Sequence, residues 1–354
     1  LHRLIRRQRQ MCIRDRHIIM SIIPETVQKL LESSHTETYI SPIPKQILDC
    51  NKETPVIIGV DEAGRGPIFG SMVYCAAYVP VTFSESLRST GSADLKYGFD
   101  DSKKLTDVKR DELFGYIWRE SLKQDENNVV TDDAVKQLKE NTGYVLTGIS
   151  ARDICSGMTR YPPSEVYNLN QQAHDTTMQM IHIISEELNL NVDHVFIDTV
   201  GPPEKYQRKL EARFPKIKFT VSKKADSIYP IVSVASVIAK VTRDLHLKEL
   251  SGTDNNEPLA VGSGYPSDPN TVRFLANNVT PLIGWDPNYT RFSWNTTNSY
   301  LCDQNEKYNT LNIKWEDDYI TTGRKRNNNG NNALMNLEPS KTKGMLTIDS
   351  FYDI

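Results

Sequence analysis

The chain has 354 residues, 38% of them hydrophobic, which suffices for one large catalytic domain with extensions. Its formal net charge of −3 excludes a protein that binds nucleic acid through overall basicity, so such contacts must come from local patches. The five cysteines are scattered and none are spaced as Cys-x-x-Cys, which argues against a disulfide framework or a zinc site and indicates a reducing compartment. No apolar stretch approaches the ~18 residues of a membrane span, so no membrane contact is expected.

Residues 1–50 are predicted to form an N-terminal extension. Its first part is rich in arginine and shows little apolar periodicity. An arginine-rich transit peptide is one interpretation, but Asp15 and the lack of serine argue against it. We therefore interpret residues 1–19 as non-native sequence upstream of a start at Met20.

The most informative segment covers residues 56–67 and reads Val-Ile-Ile-Gly-Val-Asp-Glu-Ala-Gly-Arg-Gly-Pro. Its β-branched run predicts a buried strand, which places Asp61 and Glu62 where open α/β sheets have their sites. Oxygen ligands at such a position suit Mg²⁺ or Mn²⁺. The glycines allow close approach of the main chain, and Arg65 supplies a planar fork of donors for phosphate. The alternative, a strand followed by a tight surface turn, leaves the Gly-Arg-Gly-Pro run unexplained.

Strand and helix patterns then alternate, which predicts an α/β domain over residues 51–250. The predicted elements are a strand-turn-strand unit at 55–80, helices at 105–122 and 174–190, strands at 192–197 and 219–221, and a long helix at 227–250. The candidate core positions of the first two helices are Leu113, Ile117 and Trp118, then Met178, Ile181, Ile184 and Leu188.

Two further acids stand next to predicted elements. Asp198 ends a predicted strand, where a buried charge is costly unless a cation neutralises it, although a carboxylate bonded to a neighbouring turn is the simpler alternative. Asp226 stands just before the long predicted helix, where an N-cap role would also explain it. Between them, residues 205–224 carry eight basic side chains against one acid, either a nucleic-acid patch or a solvated helix face.

The run Asp61-Glu-Ala-Gly-Arg-Gly-Pro67 resembles the signature of the type 2 ribonucleases H, the ribonuclease HII family. The resemblance covers roughly residues 55–300 and continues, in the family's order, through Asp101-Ser-Lys103, Phe196-Ile-Asp-Thr-Val-Gly201, Lys224-Ala-Asp226, Ser233-Val-Ala-Ser-Val-Ile-Ala-Lys240 and Gly262-Ser-Gly-Tyr-Pro266. Residues 198–206 and Arg291-Phe-Ser-Trp294 resemble the eukaryotic catalytic subunit more than the bacterial single-chain enzyme.

The resemblance implies a ribonuclease H-like mixed sheet flanked by helices, with a helical C-terminal extension at residues 251–315. It implies four catalytic, metal-binding acids, which fall here on Asp61, Glu62, Asp198 and Asp226, and Mg²⁺ or Mn²⁺ as the cofactor. Two ions held by such acids can activate a water and stabilise the leaving oxygen, so no nucleophilic side chain is required.

Substrate contacts are implied in the same way. The family reads the ribose 2′-hydroxyl with its Gly-Arg-Gly main chain and a tyrosine, which correspond to Gly64, Arg65, Gly66 and Tyr265. Ser102 and Lys103 match phosphate contacts. Judged alone, Tyr265 between Gly264 and Pro266 could pack a turn, and Lys103 with the lysine that follows it could belong to a solvated loop.

The implied activity is endonucleolytic: cleavage of the RNA strand of RNA/DNA hybrids and nicking 5′ of single ribonucleotides in duplex DNA, which leaves 5′-phosphate and 3′-hydroxyl ends. A nuclear location, a role in ribonucleotide removal and Okazaki primer processing, and two non-catalytic partner subunits are implied too, with Arg291–Trp294 in the segment that would bind those subunits. A catalytically silent subunit would not need the four acids, and an unrelated metal-dependent phosphatase would not need the glycine-rich loop or Tyr265.

The end of the chain is predicted to be a disordered tail over residues 316–354, because its polar, asparagine-rich tract cannot bury enough surface to order itself. Within it, Ile348, Phe351 and Tyr352 share one side of a helical turn and resemble the peptide that binds the sliding clamp. Met345 stands where that motif has glutamine, and an apolar chain end without a partner is the alternative.

Overall fold

The computed structural model describes residues 23–87, 97–100, 103–119, 132–161, 163–199, 202–254, 257–258, 261–302 and 304–308. Three sequence expectations lie outside these described residues: residues 1–19, the proposed phosphate contact Ser102, and the tail at 316–354 with its clamp-binding peptide. None of the helices within the described ranges combines the length and apolar character needed to cross a membrane.

The helices and strands follow one another in a largely alternating order. They are α1 (Glu25–Leu31), β1 (Glu37–Ile40), α2 (Lys45–Leu48), β2 (Val56–Ala63), β3 (Met72–Pro80), α3 (Asp107–Trp118), α4 (Asp132–Asn141), β4 (Gly143–Ile149), α5 (Ala151–Met158), α6 (Leu169–His182), β5 (Val192–Asp198), α7 (Pro203–Arg213), β6 (Lys218–Ser222), α8 (Ala225–Ile228), α9 (Pro230–Ser251), β7 (Thr253–Asp254), β8 (Glu257–Pro258), α10 (Pro269–Asn277), α11 (Asn295–Cys302) and α12 (Asn305–Tyr308).

The described strands form one mixed six-stranded sheet in the order β1-β4-β3-β2-β5-β6, with a separate small ribbon of β7 and β8. The first four strands of this order pair antiparallel, whereas β2 pairs parallel with β5, and β5 parallel with β6. Parallel neighbours require crossover connections, and helices α6 and α7 lie in the segments that supply them. The predicted mixed sheet flanked by helices is confirmed.

Each face of the sheet packs against its own helices. On β3, Val73, Cys75 and Ala77 belong to a core cluster with α3 and α9, whereas the alternate residues Tyr74 and Ala76 belong to a second cluster with α6 and α7. Because side chains alternate across a strand, β3 is buried along its whole length. The predicted core residues of α3 and α6 lie in these two clusters.

Three helices differ from the sequence expectation in extent. The predicted helix at 105–122 is shorter, because α3 ends at Trp118 and Arg119 is extended. The predicted helix at 174–190 begins at Leu169 and continues beyond His182 as a π-helical turn to Glu187. The predicted helix at 227–250 is divided into α8 and α9, because Tyr229 adopts an extended conformation immediately before Pro230. A residue preceding proline is disfavoured in the helical region, which explains the break.

The backbone of helix α9 lies directly against the sheet at Gly59 of β2. A Cβ atom on Gly59 would lie 2.4 Å from the backbone carbon and oxygen of Ile231. Only glycine therefore allows the strand and the helix backbone to touch here, and this contact fixes how far α9 stands from the end of β2.

We expect Gly59→Ala to destabilise the fold by about 3 kcal/mol, the upper end of the usual cost of overpacking, because neither backbone can move cheaply. Gly115→Ala in α3 is the matched control. Its added Cβ would meet only the side chain of Arg119, at 3.5 Å, so the better helix propensity of alanine should stabilise the protein by up to about 1 kcal/mol. Denaturant unfolding of both variants measures the difference, and equal stability of the two would contradict the packing argument.

Candidate active site

One cavity of about 830 Å³ receives all four of the acids singled out in the sequence, Asp61, Glu62, Asp198 and Asp226. The parallel register explains why two of them meet. Val60 of β2 stands opposite Ile197 of β5, so Asp61 and Asp198 follow at matched positions on neighbouring strands. Adjacent strands lie about 4.8 Å apart, which brings these two carboxylates to the same end of the sheet.

Asp61 is nearly fully buried beneath α9, with 6% of its surface exposed. Its Oδ1 accepts a hydrogen bond of 2.7 Å from the backbone N–H of Glu62, and Ser236 of α9 also hydrogen-bonds its carboxylate. Burial raises its pKa well above the ordinary value, and the charges of Glu62 and Asp198 add to that rise. The site therefore concentrates more negative charge than its hydrogen bonds offset.

Glu62 points to the other side of β2, because side chains alternate along a strand. Burial raises the pKa of its carboxyl to about 7, and the charge of Asp198 acts in the same direction, while Arg65 and Lys103 lower it. Asp198 is held from the next strand: its Oδ1 accepts a 2.9 Å hydrogen bond from the backbone N–H of Ala225, the first residue of α8.

Asp226 does not cap a helix, contrary to the simpler explanation of its position. The N-cap of α8 is Lys224, in a left-handed conformation, and the N-cap of α9 is Tyr229. Asp226 lies inside α8 with only 4% of its surface exposed, and Ser233 of α9 donates a 2.5 Å hydrogen bond to its backbone carbonyl. A serine of α9 therefore holds Asp226 at the cavity wall through its backbone, and another serine of α9 holds Asp61 through its carboxylate.

The donor set of the cavity suits a hard divalent cation, since its acids supply carboxylate oxygens. Within the described ranges, however, no three histidine, cysteine, aspartate or glutamate side chains already stand as a group that could hold an ion. The alternation that turns Asp61 and Glu62 to opposite sides of β2 accounts for this spread. The raised pKa values of Asp61 and Glu62 fit a cation site, because burial and neighbouring acids disfavour the ionised carboxylates and a bound cation would favour them.

The predicted substrate-contacting residues surround the acids. Gly64, Arg65, Gly66, Lys103 and Tyr265 line the same cavity, and Lys103 is exposed at its rim. The ring of Tyr265 is 40% exposed and lies beside the loop: its Cε1 is 3.5 Å from where a Cβ on Gly66 would be. Tyr265 therefore faces the cavity and is not buried in a turn.

The segment Arg291–Trp294 contacts the loop that follows β2. Arg291 is fully buried within this chain and its guanidinium donates to backbone carbonyls of the loop that follows β2. A side chain without exposed surface makes its contacts within this chain. The prediction that the segment Arg291–Trp294 helps to bind partner subunits stays a prediction. Arg291 is far from the loop in sequence, so no local sequence pattern indicated this contact.

Polar and cationic residues of α9 and its neighbours were also missed by the sequence reasoning. Ser236, Lys240 and Arg243 all line the cavity, and Arg110 of α3 approaches from the side. A signal existed, because these three positions of α9 are spaced four and three residues apart, the spacing of one face of a helix. Burial, then the neighbouring cations, lowers the pKa of Lys240.

The basic run at 205–224 forms a solvated surface. All eight of its basic side chains are exposed on α7, β6 and the adjoining loops. Two of them pair with acids, Lys209 with Asp175 at 3.3 Å and Lys218 with Asp193 at 3.0 Å. Exposure fits both interpretations of this run, and its role in nucleic-acid binding stays a prediction.

A mixed sheet whose parallel strands bring carboxylates to one cavity, beside a glycine-rich loop and several cations, is typical of a metal-dependent phosphodiesterase. Comparison with known proteins agrees. The family model "Ribonuclease HII" matches residues 58–297. The chain accordingly belongs to the ribonuclease HII family, and it is a ribonuclease H.

Similar proteins cover most of the chain. The ribonuclease H2 subunit from Neurospora crassa is 45% identical over 79% of this chain and 80% of its own length. The corresponding protein of Schizosaccharomyces pombe is 42% identical over 76% and 74%, and that of Homo sapiens 37% identical over 78% and 80%. Among solved structures, ribonuclease H2 from Pyrococcus horikoshii aligns with a TM-score of 0.52 at 25% identity, covering 72% of this chain and 98% of that one.

The raised pKa of Glu62 predicts a pH-dependent stability of the metal-free protein. A carboxyl that binds its proton more tightly when folded stabilises the fold fully below its ordinary pKa of 4.5, and this contribution is lost as the pH rises through about 7. We expect Glu62→Gln to lose less thermal stability than the unsubstituted protein between about pH 5 and about pH 8. Mg²⁺ or Mn²⁺ should raise the melting temperature more at the higher pH.

Glu85→Gln is the control for this measurement, because Glu85 is exposed and away from the cavity. Thermal melts of the three proteins, with and without metal, supply the comparison. Identical pH dependence of the Glu62 and Glu85 variants would contradict the assignment of buried charge to Glu62.

Proposed function

We propose that the protein is an endonuclease that cleaves the RNA strand of RNA/DNA hybrids and nicks duplex DNA on the 5′ side of an embedded ribonucleotide. The observation that carries the proposal is the meeting of Asp61 and Asp198 at matched ends of parallel strands, in the same cavity as Glu62 and Asp226. Membership of the ribonuclease HII family supports the substrate class.

Asp61, Glu62, Asp198 and Asp226 are the proposed ligands of Mg²⁺ or Mn²⁺. Held by these acids, divalent cations would activate a water and stabilise the leaving oxygen, chemistry that would leave 5′-phosphate and 3′-hydroxyl ends. The chain itself fixes the carboxylates: Ser236 and the N–H of Glu62 orient Asp61, and the N–H of Ala225 orients Asp198. Lys103 and Arg65 border the acids and offer positive charge to the substrate phosphates. Ser102 is proposed for the same task on its sequence match alone.

The proposed ribose contact combines the main chain of Gly64, Arg65 and Gly66 with the ring and hydroxyl of Tyr265. A 2′-hydroxyl both donates and accepts hydrogen bonds, so a polar loop next to an aromatic ring can distinguish it from a deoxyribose. The closeness of Tyr265 to Gly66 supports this assignment, because both can contact the same nucleotide.

The proposal also covers the partner proteins and the cellular location. The relatives are named as subunits of ribonuclease H2, which supports assembly with other chains; we propose two non-catalytic ones. A nuclear location and a role in ribonucleotide removal and primer processing accompany that assignment, as does weak binding of the sliding clamp by the tail. The domain boundaries at residues 50, 250 and 315 remain part of the proposal.

Asp61→Asn and Asp198→Asn test the metal chemistry. Each removes one negative charge without changing the size of the side chain, so we expect the fold to persist and kcat to fall on the order of 10³-fold, equivalent to about 4 kcal/mol. Asp226→Asn should be comparably damaging, because Asp226 caps neither adjacent helix. The assay is cleavage of a duplex DNA that contains one ribonucleotide.

Asp133→Asn, an exposed position of α4, serves as the control for the loss of charge. Near-normal turnover of the Asp61 or Asp198 variant in saturating Mg²⁺ would refute the metal assignment. A phosphatase of another class would hydrolyse phosphomonoesters and leave this duplex intact, and a catalytically silent protein would do neither.

Tyr265→Phe tests the ribose contact. Loss of the hydroxyl should reduce cleavage of the single-ribonucleotide duplex by about fivefold, the effect of one hydrogen bond, while binding of plain DNA through phosphate contacts stays the same. Cleavage kinetics and competition by plain DNA measure the two effects. Equal proportional losses in both would show that Tyr265 contributes general affinity and no selectivity.

A further inference from the structure

The loop that follows β2 is held from below by one buried side chain of the C-terminal extension. The guanidinium of Arg291 donates hydrogen bonds to three carbonyls: Nε to Gly70 at 2.9 Å, Nη1 to Arg65 at 3.1 Å and Nη2 to Gly64 at 2.6 Å. Its own backbone N–H donates to the carbonyl of Ile68 at 2.9 Å. Arg291 thus contacts both ends of the loop and ties them to each other.

Trp294, one turn further along, completes this support. Its indole Nε1 donates a 3.1 Å hydrogen bond to the carbonyl of Gly66, and its ring lies 4.9 Å from the guanidinium carbon of Arg291. Two side chains from the same short segment therefore hold the carbonyls of Gly64, Arg65 and Gly66. The three residues whose carbonyls are held in this way also line the cavity.

A second buried arginine holds the other ribose-contacting element. Nη2 of Arg243 donates to the carbonyls of Phe69, at 3.1 Å, and Ser263, at 2.8 Å. Its guanidinium carbon lies 5.7 Å from the centre of the ring of Tyr265, a cation–π distance. Arg243 therefore joins the turn that carries Tyr265 to the loop that follows β2.

The two supports meet at Gly64, which has a left-handed backbone with φ of 79°. A Cβ at this position would lie 2.7 Å from the carbonyl of Ser71 and 3.2 Å from Cγ of Arg243. No side chain fits between the loop and Arg243. At Gly64 the loop therefore contacts both arginines, by close packing against Arg243 and by a hydrogen bond from Arg291. A displacement of either arginine would move the loop.

Packing alone does not explain two arginines here. Among the residues that the structure describes, Arg243 pairs with Asp244 at 2.8 Å, whereas Arg291 makes no salt bridge, and a buried cation without a carboxylate is costly. Burial, followed by the charge of Arg243, lowers the pKa of Arg291 to about 9. An apolar side chain would fill the space more cheaply but would leave three buried carbonyls without a donor. The arrangement favours one geometry of the loop, and the buried cation lowers the folding stability of the protein in return.

We propose that Arg291 and Arg243 are positioning residues that hold the Gly64–Gly66 loop and Tyr265 at a fixed separation, and thereby set the selectivity of the site for a ribose. The proposal rests on the ribose contact proposed above and assigns its geometry to residues outside the loop. Neither arginine needs to touch the substrate for this role. Arg291, from the C-terminal extension, is in this sense part of the machinery of the catalytic domain.

The test uses the full-length chain, with its partner subunits if it requires them, and two variants. Arg291→Lys keeps the charge but cannot reach three carbonyls, and Trp294→Phe keeps the ring but removes the donor to Gly66. We expect Arg291→Lys to lower kcat on the single-ribonucleotide duplex by about 100-fold, the effect of misplacing a contact by about 1 Å. Trp294→Phe should lower it by about fivefold. The inhibition constant of plain DNA should stay within about twofold in both, since phosphate contacts are untouched.

Hydrogen exchange of the peptide that contains Gly64–Gly66 supplies a readout independent of activity. We expect faster exchange in this peptide for both variants, while a peptide from β3 keeps its protection. Arg273→Lys on α10, an exposed arginine of the same extension, is the control and should leave exchange and kinetics unchanged. If the two variants retain the exchange and kcat of the unsubstituted protein, the positioning role is refuted.

A double substitution tests whether the two arginines act on one geometry. Arg243→Lys alone should lower kcat, and Arg243→Lys with Arg291→Lys should lower it by less than the product of the single effects, because either change already displaces the loop. Multiplicative losses would overturn the coupling. Should the unsubstituted protein fail to cleave at a ribonucleotide at all, the proposed function falls, while the exchange experiment still decides whether the arginines position the loop.

Discussion

The cavity depends on the contact between α9 and β2 at Gly59. Because the helix backbone touches the strand there, Ser236 reaches the carboxylate of Asp61, and Ser233 reaches the backbone of Asp226. The same helix then carries Lys240 and Arg243 along the cavity wall. This one close approach of two backbones therefore determines the positions of Asp61 and Asp226, and also those of Lys240 and Arg243. A wider spacing between strand and helix would separate Asp61 from the hydrogen bond that orients it.

The burial of charge at the strand ends follows from this packing. Asp61 and Glu62 are adjacent in sequence but face opposite sides of β2, and both have raised pKa values because they are removed from water. Asp198 contributes further negative charge from the neighbouring parallel strand. Ionising these buried acids near neutral pH costs stability, and a bound cation would offset that cost.

Much of this arrangement could be predicted from local patterns. The apolar run before Asp61, the strand that ends at Asp198 and the glycine-rich loop have short-range signatures, and all of them lie where the patterns indicated. What escaped prediction was long-range. Arg291 lies more than two hundred residues from the carbonyl of Gly64 that it binds, and nothing in its local sequence distinguishes a buried arginine from an exposed one. Asp226 was ambiguous because its role depends on where the helix begins: α8 starts one residue before it, at Ala225, with Lys224 as the N-cap.

The identity of the reaction products tests the central claim, that water activated at these carboxylates attacks the phosphodiester, most directly. Duplex DNA with one ribonucleotide is incubated with the enzyme in Mg²⁺ and in chelator, and the new ends are analysed. The account predicts 5′-phosphate and 3′-hydroxyl ends on the 5′ side of the ribonucleotide, formed only with the metal. Products ending in a 2′,3′-cyclic phosphate would mean that the ribose hydroxyl is the nucleophile, and equal cleavage in chelator would mean that no metal is needed. Either result would contradict the account.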